Sequence, residues 1–364
     1  MTSIWNTPPS IPAPEKSVIL SFNQTGFPNT KPGIRAACFS FLLGLFISLS
    51  TEAVASSDEG TVSNSYEACT SSLKAEPGKF GFEVCETECY ESLKVLADEF
   101  SLNLPTRSEL ESFSKVEPVF QAVDFYSRPK SSESFDKRNY ANKINSLKKS
   151  ALMKQSKFLE DNRDWIERIE NRFEVNASFL VAIFYMETRL GAVELPHKAL
   201  SVFLTQMGYF DQFFQCRFTH FRTDQSKQAK RKERLLKMSR INFLYLLDYA
   251  TQRGTSVDEI RSSWAGAVGL MQFMPMNFYL IEDGNEDGKV DLEEASDAIA
   301  SAASFLKRKG FPSLKGVPDW QTFESDIRKA VRRYNPNSEY VDAIWEMAQK
   351  LEKTRTNSHT SDEK

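Results

Sequence analysis

Glu187 is the first residue in this chain whose type and place could do chemistry. Residues 176–191 read Asn-Ala-Ser-Phe-Leu-Val-Ala-Ile-Phe-Tyr-Met-Glu-Thr-Arg-Leu-Gly, with Leu180, Ile183, Glu187 and Leu190 spaced three, four and three apart. That spacing predicts a single helix face turned inward. Asn176 is the expected N-cap and Gly191 the expected stop, so Glu187 falls in the last turn. An inward carboxylate loses hydration, and the negative end of the helix dipole also disfavours its charged form. Both effects favour a carboxylic acid that stays protonated near neutral pH, which a general acid requires. Taken alone, the segment leaves a second reading beside this one: a glutamate paired with a buried arginine or capped by hydroxyls.

Two more segments carry chemistry-bearing residues. Residues 283–294 read Asp-Gly-Asn-Glu-Asp-Gly-Lys-Val-Asp-Leu-Glu-Glu, which meets the calcium-loop pattern at each position it specifies. Asp283, Asn285 and Asp287 supply hard oxygens, Gly288 the turn and Lys289 a backbone carbonyl. Asp291 takes the ninth position, and Glu294 closes the shell in bidentate fashion. It is a single loop, which points to structural Ca2+ rather than signalling. The segment from Ser263 to Pro275 reads Ser-Trp-Ala-Gly-Ala-Val-Gly-Leu-Met-Gln-Phe-Met-Pro. Gly266 and Gly269 permit close backbone approach. Ser263 and Gln272 are polar points in an apolar run, as in a pocket with few directing groups. The lysine of a phosphate loop is missing.

These segments need a scaffold to bring them together. The chain has 364 residues, 41% of them hydrophobic and 26% charged, enough for one large domain or two small ones. A net charge of -3 gives no reason to expect nucleic acid, and three histidines make a His-rich metal site or a Ser-His-Asp triad a poor fit. Strand alternation is sparse and helical periodicity common, so the fold class is mainly α. A long helical pattern runs from about Tyr140 to Phe173. Residues 203–221 are rich in aromatics, and the basic run from Lys227 to Arg234 reads as a solvated helix face.

The N-terminal part reads as an export signal. Residues 36–51 are uncharged, Arg35 precedes them, and Ala53-Val-Ala55 follows as a cleavage signal. A retained signal anchor through residues 36–51 is the alternative. The organisation expected is a signal peptide over 1–55, a flexible cysteine-containing lead-in over 56–89, a catalytic domain over 90–351 and a disordered tail over 352–364. Cys69, Cys85, Cys89 and Cys216 would remain after cleavage, which suggests two disulfides of open connectivity.

In their order along the chain, these motifs resemble the lytic murein transglycosylase B family. The matching residues are Glu187-Thr-Arg-Leu-Gly191, Ser263 to Pro275, the 283–294 loop with Asp297-Ala-Ile, Arg333-Tyr-Asn-Pro-Asn-Ser-Glu-Tyr340, and Ala343-Ile-Trp345. The resemblance runs from about Tyr90 to Leu351. The Leu270-Met-Gln wording is also similar to the related soluble lytic transglycosylases. It implies a lysozyme-like transglycosylase fold with an EF-hand-type calcium loop and a reduced β subdomain. It implies cleavage of the MurNAc-GlcNAc β-1,4 bond of peptidoglycan, with Glu187 as the sole acid and base and a 1,6-anhydro ring as product. Ser263, Gln272, Tyr334, Asn335 and Tyr340 take the family's cleft positions; ordinary core packing is the other reading of the tyrosines. Peptidoglycan glycan strands, and cell-wall machinery proteins, are the implied partners, and the periplasm or exterior the implied place.

The chain departs from the family pattern twice. The stretch between Phe311 and Tyr334 is short where the family carries a strand-rich insertion, and the aromatic and basic stretch at 205–235 looks inserted. Two alternatives therefore stand. One is a hydrolytic muramidase on the same fold; the motifs offer it no clear second carboxylate, and sequence leaves Glu194 and Asp211 open for that place. The other is a calcium-dependent, non-catalytic wall-binding protein.

Overall fold

The structure, a computed structural model, describes residues 59–75, 88–113, 116–128, 140–220, 224–314 and 320–362. Helices make up most of it: α1 (Glu59–Ala75), α2 (Glu88–Phe100), α3 (Arg107–Ser112), α4 (Phe120–Ser127), α5 (Lys149–Asp161), α6 (Arg163–Phe173), α7 (Ala177–Thr188), α8 (Ala199–His220), α9 (Gln225–Arg253), α10 (Ala295–Arg308), α11 (Glu324–Tyr334) and α12 (Ser338–Asp362). A short helix at residues 140–146 precedes α5. The strands among the described residues are β1 (His197–Lys198) and β2 (Arg261–Ser262), antiparallel with His197 opposite Ser262. The stretch from Trp320 to Tyr334 is helical, so the β part is as small as the short 311–334 stretch implies.

Glu187 sits on α7, at the centre of the main core. Asn176 caps this helix, its side-chain oxygen accepting from the Ser178 N–H at 2.9 Å. The expected single apolar face is too narrow a description: every residue from Ala177 to Tyr185 is buried. A helix apolar all round is one enclosed by others, and α5, α6, α10 and α12 pack around it. The helix also stops at Thr188, three residues before Gly191, because Arg189 and Leu190 already adopt left-handed backbone, φ 56° and 62°. Glu187 nonetheless lies in the last turn.

The long helix expected over 140–173 is three pieces. Lys148 is extended (ψ 146°), which starts α5 afresh. Asn162 leaves helical geometry, and its side chain serves both flanks: Nδ2 donates to the Phe158 carbonyl at 2.9 Å and Oδ1 accepts from Trp165 Nε1 at 3.1 Å. A side chain that bonds nearby backbone competes with the helix ladder.

The aromatic stretch at 205–235 forms a second core rather than an exposed surface. Tyr209, Phe210, Phe213 and Phe214 on α8 pack with Leu235 and Leu236 on α9 and with Val123 on α4. Helix α1 closes this core, with Tyr66 buried and Cys69 bonded to Cys216 of α8 across 147 residues of sequence. Closing so long a loop restricts the unfolded chain and contributes about 4–5 kcal/mol on the chain-entropy view. Much of the lead-in expected to be flexible is therefore an anchored helix. Cys89 is also disulfide-bonded.

The tail expected to be disordered from residue 352 is helical to Asp362, as the last turns of α12. Glu352 accepts from Ser178 Oγ at 2.8 Å and from Asn176 Nδ2 at 3.3 Å. Arg355 donates to both oxygens of Glu170, at 3.2 and 2.6 Å. Composition alone missed this because these charges find partners on α6 and α7. No described helix is long and apolar enough to cross a membrane; the expected leader at 36–51 lies outside the described residues.

Candidate active site

Helix α7 projects Glu187 towards Tyr340, near the start of α12, and the Tyr340 hydroxyl donates to Glu187 Oε1 at 2.7 Å. Burial pushes the carboxyl up to about 7, against the opposing pull of the Tyr340 hydrogen bond and the Arg189 charge. Among the described residues no carboxylate acts on it. Asp211, considered as a second acid, is instead ion-paired with Lys232 at 2.5 Å on the α8–α9 hairpin. Glu194 is exposed. Near neutral pH, then, Glu187 is poised to lose or keep a proton, with one hydroxyl to steady either state.

Several contacts hold this geometry. The Tyr340 N–H donates to Asn337 Oδ1 at 2.9 Å, the N-terminal cap of α12. Asn335 Oδ1 accepts from the Asn337 N–H at 3.1 Å, so the amide of Asn335 shapes the turn that delivers Tyr340. Burial and then the charge of Glu187 raise Tyr334 and Tyr340 well above the usual phenol range, so both hydroxyls stay donors. The Tyr334 hydroxyl donates to the Met271 carbonyl, which ties α11 to the loop from Ser263 to Pro275. Thr188, next to Glu187, donates from Oγ1 to the Leu270 carbonyl of that loop at 2.7 Å and accepts from the Gly191 N–H at 3.1 Å.

That loop leaves β2 and folds back on itself, with Val268 bridged to both Ser262 and Phe273. Its glycines serve packing within the protein: a side chain at Gly266 would strike the Phe203 ring, and one at Gly269 would strike Leu292. Gln272 holds left-handed backbone (φ 54°), costly for a non-glycine residue, and its Nε2 donates to the Gly269 carbonyl at 3.0 Å. Ser263 Oγ accepts from the Ala267 N–H at 3.2 Å.

The expected site residues thus divide. Glu187 and Tyr340 touch, the charge of Glu187 bears on Tyr334, and the Tyr334 hydroxyl bonds the Met271 carbonyl of the neighbouring loop. Ser263, Gln272 and Asn335 bond to local backbone and shape the loops. Residues that the sequence reading left without a role are Thr188, Arg189 and Asn337. Arg189 lies with its guanidinium 4.8 Å from the Tyr185 ring centre. Asn337 was legible as an Asn three residues before Tyr340, a plain N-cap spacing.

The 283–294 loop has the backbone of a cation-binding turn. Asp283 accepts from the Glu286 and Gly288 N–H groups at 2.6 and 2.7 Å, Asn285 from Asp287 at 2.9 Å, and Asp287 from Lys289 at 2.8 Å. Asp297 of α10 ties both ends, accepting from the Gly284 and Asp291 N–H groups at 2.8 and 2.7 Å. The donor chemistry suits a hard cation. The side chains are not gathered around one point, however: among the described residues no three of His, Cys, Asp and Glu cluster as a metal site. Asp291 pairs with Arg253 at 2.5 Å, and Glu294 Oε1 accepts from Asn285 Nδ2 at 2.8 Å.

Residues 94–318 match the family profile described as Transglycosylase SLT domain. Among solved structures, the chain is similar to the soluble lytic transglycosylase SltB1 of Pseudomonas aeruginosa: 17% identity, 73% of this chain and 99% of that one, TM-score 0.55. It is also similar to Escherichia coli lytic transglycosylase Slt35 in complex with calcium, at 16% identity over 76% and 97%, TM-score 0.55. A third is P. aeruginosa SltB3 in complex with NAG-anhNAM-pentapeptide, at 15% identity over 73% and 79%, TM-score 0.52. No curated protein matches the sequence significantly. These likenesses show that the fold is that of the lysozyme-like lytic transglycosylases.

Proposed function

Since the chain belongs to the transglycosylase SLT domain family, we propose that it is a lytic transglycosylase cleaving the MurNAc-GlcNAc β-1,4 bond of peptidoglycan. The observation that carries the reading is a single half-buried carboxyl, held up to about 7, with a tyrosine hydroxyl as its hydrogen-bond partner. Protonated Glu187 gives its proton to the glycosidic oxygen as the bond to C1 of MurNAc breaks. The N-acetyl carbonyl of MurNAc stabilises C1. The Glu187 carboxylate then takes the proton of the C6 hydroxyl, O6 bonds to C1, and the 1,6-anhydro ring closes. Glu187 ends as it began and no water is consumed, so one carboxyl suffices. The Tyr340 hydroxyl bonds the carboxylate in the middle of this cycle and orients it throughout.

Product mass tests the proposal. Purified sacculi should release fragments carrying anhydro ends, and Glu187→Gln should release none while keeping its circular dichroism. Reducing ends with an added water would instead identify a hydrolytic muramidase, and binding to sacculi without turnover a wall-binding protein.

Ser263 and Gln272 are proposed to line the cleft alongside Tyr334, Asn335 and Tyr340. The 283–294 loop is proposed to take Ca2+ through Asp283, Asn285, Asp287, the Lys289 carbonyl and Glu294, with Asp291 at the ninth position once Arg253 yields it. The ion would brace the start of α10. At a calcium concentration of about one hundred times Kd, binding should add about 2.7 kcal/mol of stability. A melting temperature unmoved by chelation would count against the ion. Export to the periplasm or exterior is supported by the Cys69–Cys216 disulfide, which persists in oxidising compartments.

A further inference from the structure

Arg217 of α8 is 5% exposed, and its Nη1 donates to the Ser127 carbonyl at 2.8 Å while its buried Nε has no partner. Across the hairpin, half-buried Arg231 of α9 also has an unpartnered, buried Nε. Among the described residues neither guanidinium pairs with a carboxylate. Asp124 on neighbouring α4 is already held by Lys74 at 3.4 Å and by Arg128 at 3.3 Å. Burial, then the like charge of Arg231, draws Arg217 down to about 10. Two cations that repel each other in a dry site, with donors left over, are an arrangement that an anion completes.

The neighbours indicate which anion. Arg217 bonds the carbonyl of Ser127, the residue after Tyr126 of α4. The Tyr126 ring lies 6.3 Å from that of Trp264, and Phe125 lies 4.7 Å from the same ring. Trp264 directly follows Ser263 in the loop that Thr188 ties to the Glu187 helix. Aromatic rings thus connect the 263–275 loop to the segment that Arg217 bonds, and such rings suit sugar and peptide groups beside a charge.

We propose that Arg217 and Arg231 bind a carboxylate of the peptide stem carried by the glycan strand, with Arg231 at the rim and Arg217 at the floor. The inference rests on the transglycosylase reading for the identity of the strand, but the site can be tested apart from turnover. Calorimetry with the full chain would use a synthetic pentapeptide whose C-terminus is free or amidated. The wild type should bind the free acid, and both amidation and Arg231→Gln should weaken binding about ten-fold, the loss of a charge-assisted bond. Arg217→Lys, which keeps the charge but removes Nε, should weaken it too, and circular dichroism checks its fold. On glycan strands, Arg231→Gln should slow turnover of stem-bearing strands far more than of strands stripped of stems. Equal affinity for both peptides, or equal slowing on both strands, would overturn the site. Intact peptide binding by a wild type that turns over neither strand would overturn the activity instead and leave the site standing.

Discussion

The two ends of helix α7 treat carboxylates in opposite ways. At the N-terminus, Glu170 accepts from the Ala177 N–H at 3.1 Å and Glu352 from Ser178 Oγ, so negative charge meets the positive end of the dipole. Arg355 joins them: burial works against its charge, and Glu170, Glu352 and Glu167 outweigh that effect and raise its pKa. At the C-terminus, Glu187 sits at the negative end, half-buried, with a neutral hydroxyl as partner. One end spends its charges on holding the helix. The other leaves a carboxyl uncompensated, and that is what keeps its proton available. The difference teaches that burial alone does not make an acid; burial without a cation in contact does.

Glu187→Gln removes the proton and should show the largest effect. With Glu187 as the proposed sole acid and base, turnover of sacculi should fall about a thousand-fold or more, within the range for loss of a general acid and base. A residual rate within ten-fold of wild type, on the order of 1.4 kcal/mol, would mean that the chemistry lies elsewhere. Arg355→Met attacks the other end. It strands Glu170 and Glu352 in half-buried positions, and urea unfolding should report about 3 kcal/mol of lost stability, as expected when one partner of a buried ion network is deleted. Activity of the fraction still folded should be nearly unchanged, since Arg355 lies at the helix end away from Glu187.

Some of this contrast was legible in the sequence. The N-cap Asn176, the last-turn position of Glu187 and the mainly helical class follow from spacing and residue type, which act locally. The motif order placed Tyr334 and Tyr340 near Glu187, and their hydroxyls do reach the carboxyl or its supporting loop. What sequence missed is nonlocal pairing. Glu352 and Arg355 read as a polar tail because their partners, Asn176, Ser178 and Glu170, lie about half the chain away. The aromatics of 205–235 looked like an insertion without a partner because α1, one of the helices that covers them, comes from a segment whose composition is that of a linker. Ser263 and Gln272 were read as pocket groups from polarity in an apolar run, a signal that cannot tell a side chain facing a ligand from one bonding its own loop.

The same Glu187→Gln variant sharpens the comparison through stability. Burial holds the carboxyl at about 7 in the folded chain, against about 4.5 for a glutamate in the unfolded one. Between those values the folded state binds more protons, so stability falls as pH rises through this window. The protonated form costs nothing below pH 4.5, and the full penalty is felt above 7. Glutamine is neutral throughout and still accepts from Tyr340. The variant should therefore match wild type at low pH and exceed it by about 2–3 kcal/mol at pH 8. Parallel pH curves for the two proteins would show that Glu187 is not held up by burial.

The smallest effect separates the role of the hydroxyl from that of the burial. In wild type, the Tyr340 hydrogen bond pulls the Glu187 pKa down against burial. Tyr340→Phe deletes that pull and leaves the ring in place, so the carboxyl should titrate higher. The falling limb of the kcat/KM profile, set by loss of the acidic proton, should move to higher pH, and the rate on its plateau should drop about ten-fold as the developing carboxylate loses its one donor. A plateau loss with an unmoved limb would make Tyr340 a spacer that fills the cleft wall. A moved limb with an unchanged plateau would mean that the hydroxyl tunes the resting acid and takes no part once the proton has left.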